Sequence, residues 1–184
     1  RILNVLSQYQ LQSNLFLVPL LDIQQKIMSE VPDKFWVIFF RRYMIKIANE
    51  LSKKINAVAL ITGDSIGQVA SQTLSNIRAI SDVSELPILR PLAGCNKEEI
   101  INKAKQIKTY EISIEPYEDC CSFFVPNHPE TKAKMDQVNL IENNLNLDEV
   151  YQETLNKIDG MYSFCYFNKR NNQTYLVRDR FGEK

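Results

Sequence analysis

Two adjacent cysteines, Cys120 and Cys121, are the residues whose type best suits nucleophilic chemistry in this sequence. They follow Glu118 and Asp119, whose negative charge disfavours the reactive thiolate unless lysines or arginines from elsewhere offset it. A zinc site that uses both cysteines and His128 is not predicted, because adjacent cysteines lack the usual ligand spacing. Neighbouring cysteines form a disulfide only with strained geometry. Two interpretations stay open: buried thiols that act as small hydrophobes, and reactive sulfur.

A second candidate is the turn that contains Gly63, Asp64, Ser65 and Gly67, where an apolar strand-like run gives way to a helical pattern. The amides at a helix N-terminus, together with the helix dipole, favour a phosphate or another anion. The alternative is a capped turn, in which Ser65 or Asp64 satisfies the helix end and the glycines relieve backbone strain. The spacing matches neither a Walker loop nor a dinucleotide fingerprint, so on spacing alone the capped turn is favoured.

Three basic residues could contact an anion. Lys97 stands in the first turn of a predicted helix, where a cation opposes the helix dipole unless an anion is nearby. Arg41 and Arg42 form a basic pair on a long predicted helix and could contact phosphates. An exposed helix lysine and a solvated or ion-paired arginine pair are the commoner explanations of these features.

The elements that must position these residues alternate between strand and helix. A helix with a broad apolar face is predicted from Lys34 to about Lys54. The turn at Gly63 lies between an apolar run, 57–63, and apolar residues at helical spacing from Ile66 to Ile80. The other predicted elements are a strand in 14–21, a helix from Asp22, a strand in 86–92, and a helix that a capping box of Asn96 and Glu99 opens. The alternation predicts an α/β fold with an open parallel sheet, flanking helices and ligands at the carboxyl ends of the strands.

The carboxyl-terminal part of the sequence has a different pattern. After Pro129 the composition is polar and rich in amides, which predicts one or two peripheral helices. From Gly160 two strand-like runs surround asparagine-rich turn residues, which is typical of a β-hairpin. We therefore predict three segments: a first domain at 1–135, peripheral helices at 136–158 and a β-hairpin at 159–184.

Composition and charge limit the class of protein. Hydrophobic residues make up 45% and charged residues 24% of the chain, as in ordinary folded domains. The 22 basic residues balance 22 acidic ones, so no overall positive field would hold a nucleic acid. The most apolar stretch ends at Arg41 and Arg42, which excludes a membrane span there. No secretory leader is seen, so a cytoplasmic protein is expected.

Three long segments together resemble the catalytic domain of the tRNA 4-thiouridine synthase family, the sulfurtransferases also linked to thiamine biosynthesis. They are ALITGDSIGQVASQTLSNIRAI, LPILRPLAGCNKEEIINKAKQIKTYEISIEPYEDCCSFFVPNHPETKA and FFRRYMIKIA, and the resemblance extends over roughly residues 1 to 158. It implies a partial pyrophosphatase-loop domain of the adenine nucleotide α-hydrolase type, with ATP and Mg²⁺ as cofactors. The implied partners are tRNA, a cysteine desulfurase as sulfur donor, a thiamine sulfur-carrier protein and a second copy in a homodimer.

The resemblance also implies a reaction and the residues that carry it. ATP adenylates the C4 oxygen of a uridine in tRNA, and a cysteine persulfide then delivers sulfur. Cys121 matches the family's sulfur-handling residue, Cys120 a doublet partner found in part of the family, and Lys97 the lysine of the adenylation step. The residues that match motifs beside the nucleotide are Gly63, Asp64, Ser65, Gln68, Arg41 and Arg42.

Two departures qualify these expectations. The family's nucleotide loop and its tRNA-binding THUMP module would precede Arg1, so this chain alone is expected neither to bind ATP tightly nor to modify tRNA. Residues 159–184 resemble a hairpin of the glutaminase domain of asparagine synthetases, without that domain's nucleophilic cysteine, so no glutaminase activity is expected. An asparagine synthetase-like amidotransferase fragment and a non-catalytic binding module are the alternative functions.

Overall fold

A computed structural model of the chain describes residues 1–9, 14–116, 126 and 128–158, and the backbone of two strands within 163–178. Its helices and strands, numbered in chain order, are α1 Ile2–Leu6, α2 Leu21–Glu30, α3 Trp36–Ile55, β1 Leu60–Ile61, α4 Leu74–Ser81, β2 Ile88–Leu89, α5 Lys97–Gln106, α6 Tyr110–Ser113, α7 Met135–Asn144, α8 Asp148–Lys157, β3 Ser163–Asn168 and β4 Gln173–Arg178. Among the described residues, no helix is both long and apolar enough to cross a bilayer.

The longest helix, α3, forms the centre of the fold, and the prediction of a helix from Lys34 to about Lys54 is confirmed. Its apolar side chains recur at helical spacing, and a broad face of the helix is buried in the core. The helix ends at Ile55, because the left-handed backbone of the following Asn56 (φ 54°) stops the helical path. Lys53 and Lys54 in the last turn are favourable beside the negative end of the helix dipole. This helix therefore sets the positions from which the side chains of Arg41 and Arg42 extend.

β1 and β2 form a parallel pair, with Leu60 opposite Ile88 and Ile61 opposite Leu89. The order β1, α4, β2, α5 is the predicted alternation, and the α/β fold class with a small parallel sheet and flanking helices is confirmed. The capping box is also confirmed, since Asn96 and Glu99 exchange hydrogen bonds at the start of α5. Because the strands are parallel, the residues that follow each of them lie at the same edge of the sheet.

Two local predictions are wrong. The apolar run 14–21 forms no strand: it is irregular apart from one bridge residue, and its Leu15 and Leu17 are exposed. The helix expected from Ile66 begins only at Leu74. Gly67 has a positive φ of 79°, which interrupts a helical path, and residues 70–72 form a short 3₁₀ turn.

The start of α4 is set by Thr73 and not by the predicted caps Asp64 or Ser65. Thr73 has an extended backbone, and its side-chain oxygen accepts a hydrogen bond from the amide of Asn76 at 3.3 Å. The Gly67 amide donates a hydrogen bond of 2.9 Å to the Gln72 carbonyl, which closes this part of the loop. The loop from 62 to 73 is therefore an ordered connection, with the side chains of Asp64 and Ser65 turned inward.

The helices α7 and α8 contribute to the same core as α3. Val138 of α7, Thr154 of α8 and Leu147, which directly precedes α8, are almost fully buried. The Tyr151 ring packs edge-on against Tyr43 at 5.9 Å between centroids. The boundaries of the three predicted segments stay a prediction, but these two helices are part of the central packing. The predicted hairpin is confirmed in its backbone, where β3 pairs antiparallel with β4.

Candidate functional site

A polar corner forms at the carboxyl ends of β1 and β2. Thr62, Gly63 and Asp64 follow β1, and Arg90 follows β2 directly. Arg41 reaches the same place from α3. This edge of a parallel sheet is where open α/β folds place their ligands, so the corner is the first candidate for a binding site.

The carboxylate of Asp64 holds this corner together. Arg41 pairs with its Oδ1, while Thr62 donates a hydrogen bond to Oδ2 at 2.7 Å and Arg90 Nε donates to Oδ2 at 3.1 Å. Asp64 is only 4% exposed. Burial opposes its ionisation, but the hydrogen bond from Thr62 and the charge of Arg41 outweigh that effect, so the pKa of Asp64 lies below its ordinary value. The carboxylate is thus charged at neutral pH.

The two arginines of the corner retain capacity for a further partner. Arg41 also donates to the Ser71 carbonyl at 3.3 Å, and Arg90 Nη2 donates to Ser81 Oγ at 2.7 Å. Each guanidinium carries five N–H donors, more than these contacts use. Their side chains are 19% and 17% exposed, and two positive charges face one negative charge. The corner can therefore accept an anion such as a phosphate.

The glycines and Ser65 shape the loop beside this corner. A side chain at Gly63 would meet nothing within 4 Å, so the backbone there is open to a ligand. Ser65 is buried and donates its hydroxyl hydrogen bond to the Cys95 carbonyl at 2.9 Å, which ties the loop after β1 to the loop after β2. The Ile66 amide bonds the Ala93 carbonyl between the same two loops at 3.2 Å. Gln68 is exposed on the loop.

Arg42 does not lie at the corner, although the sequence groups it with Arg41. Successive residues of an α-helix project about 100° apart, so the two side chains leave α3 in different directions. Arg42 is 1% exposed, bonds the Ala79 carbonyl and pairs with Glu142 of α7. Lys46 contacts the same carboxylate, at Oε1, at 2.9 Å. The surroundings of Arg42 are therefore those of a buried structural ion pair.

Of the remaining predicted residues, the structure describes Lys97 but not the two cysteines. Lys97 is the first residue of α5 and is exposed. Cys120 and Cys121 lie outside the described residues, so their predicted role in sulfur chemistry stays a prediction. Within the described part of the chain, no group of three or more histidine, cysteine or acidic side chains could hold a metal.

Sequence reasoning missed two residues of the corner, Thr62 and Arg90. The position of both residues in the sequence was informative. Thr62 directly follows β1 and Arg90 directly follows β2, and Asp64 also comes just after β1. A polar or charged residue immediately after a short apolar strand is a candidate for the ligand edge of the sheet. The pairing of β1 with β2 brings these positions together, which no local pattern reveals.

Comparison with known proteins supplies independent findings. The family described as "Thiamine biosynthesis protein (ThiI)" matches residues 1–147, and the family described as "Glutamine amidotransferase domain" matches residues 126–184. A protein of Natranaerobius thermophilus named "Probable tRNA sulfurtransferase" is 46% identical over 142 residues, which is 77% of this chain and 34% of that protein. A protein of the same name from Thermoanaerobacter pseudethanolicus is 50% identical over 134 residues, 73% of this chain and 35% of that protein.

A solved structure is similar as well. It is described as a 4-thiouridine synthetase–RNA complex with bound ATP, and it aligns with a TM-score of 0.79 and 37% identity. The alignment covers 96% of this chain and 43% of that one. This chain spans about a third of the length of the two curated relatives. The family match over residues 1–147 establishes that the chain belongs to the thiamine biosynthesis protein (ThiI) family.

Proposed function

We propose that this chain is part of a tRNA sulfurtransferase that forms 4-thiouridine, and that the Asp64 corner is its share of the nucleotide site. The observation that carries the proposal is the buried Asp64 carboxylate, held by Arg41 and Arg90 where two parallel strands end. The similar solved structure, at 37% identity, is a 4-thiouridine synthetase with RNA and bound ATP. Relatives named as tRNA sulfurtransferases support the same activity.

The residues at the corner fit an adenine nucleotide in charge and in space. Arg41 and Arg90 outweigh the single charge of Asp64, and the backbone at Gly63 is open. When bound, ATP would supply the adenylyl group that turns the uridine C4 oxygen into a leaving group. Asp64 would keep both guanidinium groups in place, and Mg²⁺ would accompany the phosphates. Gln68 and Ser65 stay proposed members of this site through the resemblance, with Ser65 fixing the loop.

The sulfur step of the proposal uses residues beyond the corner. A cysteine desulfurase would load Cys121 with a persulfide, whose outer sulfur attacks C4 of the activated uridine while AMP leaves with the former oxygen. A second thiol would then attack the inner sulfur and release thiouridine with a protein disulfide. Lys97 would stabilise charge on the reacting phosphate. Proposed partners are therefore tRNA and a desulfurase. We also propose that the protein supplies sulfur for thiamine synthesis, which the family description, a thiamine biosynthesis protein, supports.

The proposal is tested by loading the chain with sulfur. The protein is incubated with a cysteine desulfurase and cysteine, then measured by intact-mass spectrometry with and without a reductant. We expect one reducible sulfur adduct, absent from a Cys121→Ala variant and retained in a Cys95→Ala variant as the matched control. An adduct that survives Cys121→Ala would contradict the assignment of Cys121. A folded protein with no adduct would favour the alternative of a non-catalytic binding module.

A glutamine-dependent amidotransferase is the second candidate, because residues 126–184 match that family. Part of this match, however, packs into the core that α3 organises: Val138, Leu147 and Thr154 are buried there. Glu142 in the same stretch pairs with Arg42. These contacts support one packed unit with the sulfurtransferase part. Release of ammonia from glutamine by the purified chain would favour the amidotransferase instead.

A further inference from the structure

Asn76 is a buried polar residue of α4 that lies outside the Asp64 corner. It is 0% exposed. Its side-chain amide donates two hydrogen bonds, to the Ala70 carbonyl at 2.7 Å and to the Glu130 carbonyl at 2.6 Å. Its side-chain oxygen accepts a third from the Ala133 amide at 3.1 Å. One side chain thus joins the turn before α4 to the segment 130–133.

Further contacts hold the segment 130–133 in place. Thr73, at the start of α4, donates its hydroxyl hydrogen bond to the Thr131 carbonyl at 2.7 Å. From the other side, the Glu130 amide donates to the Lys34 carbonyl at 2.9 Å, and Lys34 Nζ pairs with the Glu130 carboxylate at 3.3 Å. The segment is therefore fastened both to α4 and to the turn that precedes α3.

The turn that Asn76 binds is also attached to the Asp64 corner. Residues 70–72 form one short 3₁₀ turn, whose Ala70 carbonyl accepts from Asn76. The next carbonyl, that of Ser71, accepts from Arg41 at 3.3 Å, and Arg41 pairs with Asp64. The corner and the segment 130–133 are therefore connected through the same turn, each by a single side chain.

This connection concerns sulfur chemistry because Glu130 follows Cys121 by only nine positions in the sequence. Cys121 itself lies outside the described residues. Nine residues extend over at most about 30 Å, so a fixed Glu130 limits how far Cys121 can move. If the segment were released, the nearest helix on that side would begin at Met135, fourteen positions from Cys121. A longer tether lowers the effective concentration of the thiol at any one place.

We propose that Asn76 is a positioning residue for sulfur transfer, which holds the segment after Cys121 against the turn that also binds Arg41. This role rests on the proposed sulfur step. Asn76 acts through the backbone of Glu130 and Ala133 and takes no part in the bond changes. A reaction between two groups is faster when both are held near each other, so a fixed tether favours attack at the corner. An asparagine with a purely structural role would stabilise the fold without affecting how often Cys121 meets the corner.

The test measures how readily Cys121 is cross-linked to the corner in the whole chain. Gly63→Cys supplies a thiol at the corner, because a side chain there meets nothing within 4 Å. The other cysteines, Cys95, Cys120 and Cys165, are replaced by serine. The chain reacts with a flexible bismaleimide at a fixed concentration, and intact-mass spectrometry distinguishes the product with one bridging reagent from the product with two separate reagents. Their ratio measures ring closure.

We expect a cross-link in this background and at least a twofold lower closure ratio in Asn76→Ala, because the tether lengthens from nine to fourteen residues. Asn49→Ala is the matched control. Asn49 is 3% exposed and bonds the Val83 carbonyl and the Glu85 amide, so its loss should destabilise the fold without changing closure. Absence of a cross-link in the background would overturn the proposal, as would equal closure ratios in the two asparagine variants.

A second pair of variants decides the question if circular dichroism shows that Asn76→Ala does not fold. Thr73→Val removes the hydroxyl that bonds Thr131 and should lower the closure ratio less but in the same direction. Thr154→Val removes a buried hydroxyl that bonds only within α8, and it should leave closure unchanged. Equal ratios for these two variants would then overturn the proposal.

Persulfide loading separates this role from the proposed function. In a chain that keeps its natural cysteines, we expect a desulfurase to load Cys121 equally in the parent and in Asn76→Ala, because the sulfur comes from a separate enzyme. Failure to load either chain would refute the proposed sulfur step, while the closure ratios would still show whether Asn76 positions residue 121. Loss of loading in Asn76→Ala alone would contradict a role confined to positioning.

Discussion

Arg41 and Arg42 are neighbours on α3, but they occupy two different kinds of surroundings. Arg41 lies at the sheet edge, where it shares the Asp64 carboxylate with Arg90 and keeps part of its surface exposed. Arg42 is enclosed, with the Ala79 carbonyl and Glu142 as partners. The first arrangement has an excess of positive charge and room for a ligand, while the second is closed and contains its own counter-ion. The comparison shows that a basic pair in a sequence can combine a residue of a proposed binding site with a structural one.

The two arrangements also differ in how far along the chain they reach. The corner joins elements that are close in the β–α–β order, since Asp64 and Arg90 are separated by 26 residues. The Arg42–Glu142 pair spans 100 residues and fastens α7 to α3. Loss of the corner should therefore change local geometry and ligand binding, whereas loss of the buried pair should change the stability of the whole core.

The largest effect is expected for Arg42→Met. This change leaves Glu142 with Lys46 alone and the Ala79 carbonyl without its donor, so the free energy of unfolding should fall by about 3 to 5 kcal/mol. The matched variant Arg41→Met should cost only about 1 kcal/mol, because Arg90 and Thr62 still hold Asp64. Urea unfolding followed by circular dichroism measures both. Equal losses for the two variants would break the distinction between a structural and a binding arginine.

The stability of Glu142→Gln, measured over a range of pH, tests whether the Arg42–Glu142 pair is charged. Burial opposes the ionisation of Glu142, but Arg42 and Lys46 lower its pKa below the ordinary 4.5. A carboxyl with a lowered pKa stabilises the fold fully above its unfolded value and loses that contribution as pH falls through the folded value. The variant should therefore be less stable than the parent by about 3 kcal/mol at neutral pH. The difference should shrink below pH 4.5, and a difference that is constant with pH would contradict a charged pair.

How much of the fold could be predicted from the sequence depended on how far apart the interacting residues lie along the chain. The order of strands and helices follows from local periodicity, and the capping box of Asn96 and Glu99 is a contact three residues apart, so both were predictable. The start of α4 was mispredicted because the apolar spacing continues through the positive-φ turn at Gly67. An ion pair was one of the expectations for Arg42, but its partner was not predictable, because Glu142 is 100 residues away in a polar helix without a distinctive motif.

The residues of the candidate site also differ in whether a local sequence pattern reveals them. Asp64 and Gly63 were named from a motif within one turn, and Arg41 from the basic pair on its helix and from the resemblance. Arg90 entered only when the parallel pairing placed the end of β2 beside the end of β1. The sequence alone could also not distinguish Ser65 as a ligand from Ser65 as a tie between two loops, since its acceptor is the Cys95 carbonyl.

A smaller effect is expected for Asp64→Asn, which tests the corner itself. The substitution keeps the shape but removes the charge that Arg41 and Arg90 share, so stability should fall by about 2 kcal/mol. Both guanidinium groups should become freer, and their modification by phenylglyoxal should become faster while that of Arg42 does not change. Peptide mass spectrometry measures the three rates side by side. If modification of Arg42 becomes faster to the same degree, the variant has loosened the whole core, and the corner does not respond independently of it.

The smallest effect on stability is expected for Lys97→Gln. Lys97 stands at the first position of α5, where its charge opposes the helix dipole, and among the described residues its side chain makes no hydrogen bond or ion pair. Its removal should leave the free energy of unfolding unchanged or raise it by about 0.3 kcal/mol. By contrast, Asn96→Ala at the same helix start should cost about 1 kcal/mol, because it breaks the capping box. Thermal unfolding of the two variants measures this difference. Since Lys97 adds nothing to the fold of the described residues, any loss of nucleotide chemistry in Lys97→Gln would belong to the reaction, whereas a clear destabilisation would show that the lysine has a structural partner.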